Sequence, residues 1–581
     1  MFSRYYQSEL TYLRELGKEF AAANPSLAGL FAERGGDPDV ERLLEGFAFL
    51  ASRIRERIDD AVPEVIDAVT QLVVPQLSRP IPACSIVEFQ PNYSALRGIH
   101  RIERDTELGT VQVRGTQCRF RTTAHVDLLP LELRRTRLDQ TVQTTPKIVL
   151  GFRRRGGSVL WPEDGTMRLF LHGPLGLTST VFLWLHQNLR GVVFREGPHH
   201  ETRLSGAGTR PLGIMPGFEL LPWAELAPDG LRLVQELFTL PQKLLFVELH
   251  GLGAIRSDDV GEDFEVVLEL DRPPPLPERI DEDLFRLHCV PVVNLFPTSA
   301  DPISRDVRVH EHLVRAAGID PLHMEVYSID GVTGLSSQRQ SRRRYAPFHH
   351  FSHLEEESAD RAFYTVRRTP SPIDGAFDTY LSVMTPKDVA PDFSEEVFSI
   401  DLTATNRALP TELRIGDICK PTQRSPTLAK FSNLTEVTRP ARPPIGAEKH
   451  WRLVSHLALN VNTLTNPKAL RGLLHLYNLH TEADHQRSRA NELRVNAIRA
   501  VQTGAERLVI DRVPVRGFHT HVEVEEDGFV SVGDAFLFGC ALDWLFVTEV
   551  PLNAYHRLTM GIHPLGMEFE WPATTGTQPV F

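Results

Sequence analysis

The sequence predicts a multidomain α+β protein, on three observations. Its 581 residues exceed the roughly 250–300 that a single hydrophobic core sustains. Apolar residues recur at helical spacing through the first 80 positions. Beyond them the period shifts towards two, with some short helices, and a new helical section starts near residue 450. Hydrophobic residues at 41% and charged residues at 24% fit a globular protein with a large core.

Residues 1–80 read as an N-terminal helical region. Tyr6, Leu10, Leu13, Leu16 and Phe20 form a first stripe, which Asn24-Pro25 ends. Asp37-Pro38 opens a second helix, with Asp suited to the N-cap and Pro to the first turn. Its apolar face is Leu43, Phe47, Leu50, Ile54 and Ile58, and Arg53, Arg55, Glu56 and Arg57 lie opposite. After Pro63, Val65, Ile66, Val69, Leu72 and Val73 form a third stripe. These helices suit an intramolecular core or an intermolecular bundle, and their spacing does not separate the two.

Residues 81–285 read as a β-rich domain, bounded by the proline clusters Ser78–Pro82 and Arg272–Pro275. Ser85–Phe89, Thr110–Val113, Leu244–Leu249 and Phe264–Leu270 alternate or run apolar between turns. Residues 286–445 read as a mixed, loop-rich α/β domain closed by Arg439–Pro444. Residues 446–581 read as helices plus a β-hairpin. Trp451, Val454, Leu457, Ala458, Val461 and Leu464 begin the helical section, and Leu470, Leu473, Leu474 and Tyr477 continue it after Asn466-Pro467. A hairpin is expected at His521–Glu526, Asp527-Gly528 and Phe529–Val532, then an apolar helix through Phe536, Cys540, Trp544 and Val547.

The net charge of −12 argues against a general phosphate-neutralising surface. The cations are lopsided, with 55 arginines to eight lysines. A GC-rich genome accounts for this plainly; interface use of arginine's planar fork is the sharper reading. Five scattered cysteines form no Cys-x-x-Cys pattern and suit a reducing compartment. Neither a signal peptide nor a membrane-spanning run is legible, so a soluble intracellular protein is expected.

Reactive motifs are sparse. P-loop, dinucleotide, Gly-x-Ser-x-Gly and His-Glu-x-x-His signatures do not occur. His349 and His353 would share a helix face in a metal-dependent hydrolase, but the stretch after Arg342–Pro347 reads as loop and the intervening acid is missing. His519 and His521 share a strand face yet form an incomplete zinc shell. Arg342, Arg343 and Arg344 with Tyr345 and Phe348 could grip a nucleic acid, against the acidic total. In Leu287–Phe296 (LHCVPVVNLF), His288 and Cys289 would point to opposite faces of a strand. That stretch reads as buried sheet rather than nucleophile and base. No cofactor site emerges.

Tyr5-Tyr6, Glu9-Leu10 and Tyr12–Gly17, then Asp37–Leu50, Leu287–Phe296 with Asp301-Pro302, and Trp451–Asn460 together resemble the TssF (ImpG/VasA) family of bacterial type VI secretion baseplate subunits. The resemblance runs along essentially the whole chain and is loosest between about 110 and 280. It implies a non-enzymatic structural role without cofactors. In this family two TssF copies join one TssG in a baseplate wedge. The wedge also carries TssK, which links it to the membrane complex, and TssE, which starts the sheath. The wedges surround the VgrG spike hub as the platform for tube and sheath, on the cytoplasmic side of the inner membrane. The expected contacts with TssG or the second copy are the 37–60 helix (Phe47, Leu50, Arg53, Ile54, Arg57) and the 451–480 helices (Trp451, Leu457, Leu473, Tyr477).

Overall fold

The strand Cys84–Pro91 takes its neighbours from far along the chain. In the computed structural model, the described residues are 75–577 except 140–144, 157–160, 198–199, 224–228, 257–259, 276–281, 306–308, 337–340, 349–361, 372–375, 385–395, 444–463, 482 and 511–512. Residues 10, 42–43, 45–52 and 70 are described as well. Cys84–Pro91 pairs antiparallel with Cys289–Val293 on one side and Ala429–Asn433 on the other. Thr116–Thr122 and Glu107–Val113 complete this five-stranded sheet. Strands thus cross the expected boundary at 285/286, because a buried Val/Ile/Phe strand needs partners on both edges.

A second five-stranded sheet runs in the order His200–Leu204, Leu189–Glu196, Asp263–Leu270, Lys147–Arg154, Leu131–Asp139. A smaller sheet joins Gly208–Arg210, Phe246–His250, Met167–Leu171 and Phe285–Arg286. These sheets share one large core with five helices: α1 (Leu175–Gln187), α2 (Asp229–Thr239), α3 (Pro467–Tyr477), α4 (His485–Asn496) and α5 (Val532–Thr548). A separate core fills residues 296–404, under an eight-stranded sheet centred on Glu325–Ser336 and Glu396–Thr405. The α+β class holds, but this region is a sheet and not loop-rich. Its strand Ser341–Pro347 buries Tyr345 while Arg342 and Arg344 stay exposed, so apolar alternation is too thin to read.

The C-terminal sheet corrects the expected hairpin. The hairpin lies upstream, between Ile498–Ile510 and Val513–Glu525. Val513–Glu525 then runs parallel to Ala554–His563, with α5 as the crossover. The Ser531 hydroxyl caps α5, accepting from Asp534 N at 3.1 Å. A helix cap occupies the place where Phe529–Val532 imitates a strand.

Helix α5 is apolar all round and almost wholly buried, as such a helix must be. It meets its neighbours where side chains are absent. A Cβ on Gly533 would sit 2.2 Å from the Ser179 carbonyl carbon of α1, and one on Gly230 of α2 would sit 2.4 Å from the Leu545 Cα. Ionic groups lock the same assembly. Arg494 of α4 makes two hydrogen bonds to buried Asp534, at 3.0 and 3.1 Å. Glu236 of α2 is fully buried, accepts from Leu220 N and Leu221 N, and pairs with Arg232 at 2.9 Å and Lys243 at 2.6 Å. Burial pushes the Glu236 pKa up, but Arg232 and Lys243 outweigh it and hold the carboxyl below its usual range. Arg232 continues to Asp229, which accepts from Trp544 Nε1 of α5. Buried charges persist only when paired in this way.

The two cores meet through polar side chains. Asn294, at the end of Cys289–Val293, donates to Arg119 O and Asn406 Oδ1 and accepts from Asn406 N. Arg368 of the eight-stranded sheet donates to the carbonyls of Ser78 and Tyr327, and Arg79 lies over the Tyr327 ring. The proline-rich stretches 78–82 and 439–443 also come together, joined by a two-bond bridge between Ile81 and Ala441.

Candidate partner-docking surfaces

Residues 42–43 and 45–52 are helical, as Asp37-Pro38 and the following stripe predict. The face turned to the chain is the unexpected one. Ala48 and Ser52, one turn apart, are fully buried, whereas Leu43, Phe47 and Leu50 are 75%, 61% and 62% exposed. Small side chains let this helix sit close to its own chain. The large apolar ones form an uncovered stripe at i, i+4 and i+7. Exposed apolar stripes of this kind mark interaction surfaces. Arg53, Ile54 and Arg57 lie outside the described residues.

The second group of contacts divides. Leu473 and Tyr477 are buried with Leu470 and Leu474 on the inner face of α3, so they fill this chain's own core and offer no surface. Asn466 caps that helix through Lys468 N at 2.9 Å. Trp451 and Leu457 lie outside the described residues.

The outer face of the second sheet shows what its arginines do. Arg135 and Arg195 both grip Glu265, Arg195 also holds Glu201, and Lys147 and Arg203 flank Glu269. Beneath them lies a buried trio, Val149, Val193 and Val267. The long stems lie along apolar surface while the charged heads find carboxylates. This face is closed on itself.

The reactive candidates resolve into structure. His288 sits in the left-handed region at φ 56° just before Cys289–Val293, so it turns the chain into the strand rather than extending it. Its Nε2 accepts from Leu129 N at 3.0 Å. Burial lowers the His288 pKa to about 4 and raises that of Cys289 well above the thiol range. A neutral imidazole and a neutral thiol beside a crevice of about 20 Å³ have room for one water, not a substrate. Tyr345 is buried with its hydroxyl on Glu396 at 2.7 Å, so it cannot stack on a base beside Arg342, Arg343 and Arg344. His349 and His353 lie outside the described residues. His519 Nε2 and His521 Nδ1 both bond to Thr559 Oγ1, at 3.0 and 2.9 Å. Among the described residues no three His, Cys, Asp or Glu side chains are grouped to hold a metal ion.

One arrangement escaped sequence reasoning. Thr520 Oγ1 lies 2.8 Å from His556 Nε2, and His556 Nδ1 lies 3.9 Å from Asp543 Oδ1. The order is that of a nucleophile, base and acid. Thr520 is only 1% exposed, however, and the imidazole–carboxylate separation is too long for a hydrogen bond. Burial raises the Asp543 pKa despite His556. The trio ties the C-terminal sheet to α5. No spacing in the sequence could announce it, since strand pairing brings Thr520 to His556 and the packing of α5 on the sheet brings Asp543 to them.

The family profile described as "Type VI secretion system, TssF" matches residues 1–578. The chain belongs to the TssF family. Among TssF proteins, the type VI secretion system component TssF1 of Pseudomonas aeruginosa is 28% identical across 99% of this chain and 98% of its own length. A chain of the TssK-TssF-TssG baseplate subcomplex, seen by cryo-electron microscopy, superposes with a TM-score of 0.79 at 28% identity. The match covers 93% of this chain and 99% of the other. A chain of the type VI secretion baseplate complex matches over the full length of both, at a TM-score of 0.62 and 26% identity. TssF is thus a baseplate component of the type VI secretion system, as the N-terminal and Leu287–Phe296 motifs predict. Among the described residues no helix is long and apolar enough to cross a membrane.

Proposed function

We propose that this chain is a non-enzymatic scaffold of the baseplate wedge, assembling as two copies with one TssG and carrying TssK and TssE around the VgrG hub. In that place it supports tube and sheath assembly on the cytoplasmic side of the inner membrane, which it reaches through TssK. The likeness to a chain of a TssK-TssF-TssG subcomplex supports TssK and TssG as partners. The observation that carries the contact is the uncovered stripe Leu43, Phe47 and Leu50 on a helix whose small residues face inward. Burying such a stripe against TssG or the second copy supplies the apolar centre that stable interfaces require. Arg53, Ile54 and Arg57 extend the same contact, and Trp451 and Leu457 are candidates for a second one.

The test is a Phe47→Asp, Leu50→Asp variant co-expressed with a TssG protein. Because both side chains are exposed, thermal stability stays within about 0.5 kcal/mol of the unaltered chain. Recovery of TssG on the variant falls at least tenfold. Insoluble or unfolded product would instead assign the stripe to this chain's own core.

A further inference from the structure

The seam between α5 and the C-terminal sheet holds two polar atoms that face each other without bonding. His556 Nδ1 and Asp543 Oδ1 are both buried, lack a hydrogen-bond partner, and lie 3.9 Å apart. Buried polar atoms are nearly always paired, so this gap needs a physical cause. The far side of the imidazole supplies one. His556 Nε2 lies 2.8 Å from Thr520 Oγ1, which lies 2.9 Å from Thr503 Oγ1 on the edge strand Ile498–Ile510. With its hydrogen on Nε2, the ring donates into this hydroxyl chain and leaves Nδ1 as an acceptor. An ionised carboxylate is an acceptor as well. Two acceptors cannot bond, so they stay apart.

Among the described residues no other charged group faces the pair. On the sheet His556 lies beside Phe518 and Thr574, whose hydroxyl donates to Pro572 O. On α5 it stacks on the Phe546 ring at 5.0 Å. Cys540, one turn before Asp543, is a thiol that burial keeps neutral. Tyr555 and Arg557 alternate to the opposite face of their strand, where both meet Glu506. Of the remaining groups around α5, Asp534 is held by Arg494 and Asp229 by Arg232. Glu549 ends the helix, and α1 brings only neutral His186. The Asp543 side chain is 14% exposed and that of His556 1%, so a proton from solvent arrives at the carboxylate.

We propose that Asp543 and His556 form an acid-closed latch between α5 and the C-terminal sheet. A proton taken from solvent by the Asp543 carboxylate becomes the hydrogen of an O–H···Nδ1 bond that ties helix to strand. Its return to solvent reopens the gap. Burial raises the Asp543 pKa despite His556. The stability this group lends is therefore full below about pH 4, its unfolded value, and is lost as the pH rises through the folded one. The latch works against His186, His288 and His480, whose neutral rings favour the fold at higher pH. It belongs to the chain alone and does not depend on the assembly reading.

Asp543→Asn replaces the acid by an amide whose N–H donates to Nδ1 at every pH, which holds the latch closed. Amide hydrogen exchange over Val532–Thr548 and Ala554–His563 is compared between the two full-length chains, so the intrinsic pH dependence of exchange cancels. Exchange of the unaltered chain relative to the variant rises by at least about fivefold from pH 5 to pH 7.5. The same ratio at both pH values overturns the latch. So does an Asp543→Asn chain that fails to fold, because the amide would then not stand in for the acid. In a His556→Leu background, where Asp543 stays buried but loses its acceptor, the rise shrinks to less than about twofold. Its persistence there shows that Asp543 titrates by burial alone and overturns the latch as well.

Discussion

His288 shows how one residue type can change meaning between sequence and structure. Beside Cys289 it suggests acid–base chemistry; in the fold it is a buried turn residue whose ring nitrogen receives the Leu129 amide. Its pKa is lowered to about 4, as are those of half-buried His186 and buried His480. An unfolded histidine takes its proton near 6.5. The contribution of each neutral ring is therefore fully present above about pH 6.5 and is lost as the pH falls towards 4. Melting temperature should drop across that window. His288→Asn keeps a residue that tolerates the left-handed backbone and removes one titration, so the pH slope should flatten by up to ~1.4 kcal/mol per pH unit. A slope identical to that of the unaltered chain would mean that His288 is protonated in the fold.

At the scale of elements, helices and strands were legible where burial is one-sided and periodic. Pro467–Tyr477 and Val532–Thr548 match their stripes, and Cys84–Pro91 and Asp263–Leu270 contain the expected runs. Ser341–Pro347 was not legible, because its outward residues are arginines and only Tyr345 points into the core. The Phe529–Val532 error has a different origin: a helix cap and a strand end use the same small polar residues. The 42–52 helix was readable as amphipathic, but period alone does not say whether the apolar side meets the chain or a partner. Close helix contact was hidden as well, since it depends on single glycines. Gly533→Ala would drive a methyl into the Ser179 backbone and cost about 3 kcal/mol. Calorimetry should show a melting temperature several degrees lower. An unchanged value would show that α1 and α5 can move apart freely.

At the scale of the whole molecule, two cores are joined in part by polar side chains. Arg368 carries one of the links, through the Ser78 carbonyl, and also donates to the Tyr327 carbonyl of its own sheet, and burial lowers its pKa to about 10. Arg368→Met would strand both carbonyls at a cost of about 1–3 kcal/mol. Hydrogen exchange should then rise at residues 75–82 and across the 296–404 sheet while α2 and α5 stay protected. Uniform change across both cores would show that they unfold as one unit.

The sheet around Cys84–Pro91 has a consequence for synthesis. Thr438 bonds to Cys84 N from 354 residues downstream, and Ala429–Asn433 supplies the edge partner. At bacterial elongation rates of about 5–20 residues per second, roughly 20–70 s separate the emergence of the two. Throughout that interval the nascent chain displays an open, apolar template to its surroundings. Production of this subunit therefore calls for slow dilution or a holding chaperone at the ribosome exit.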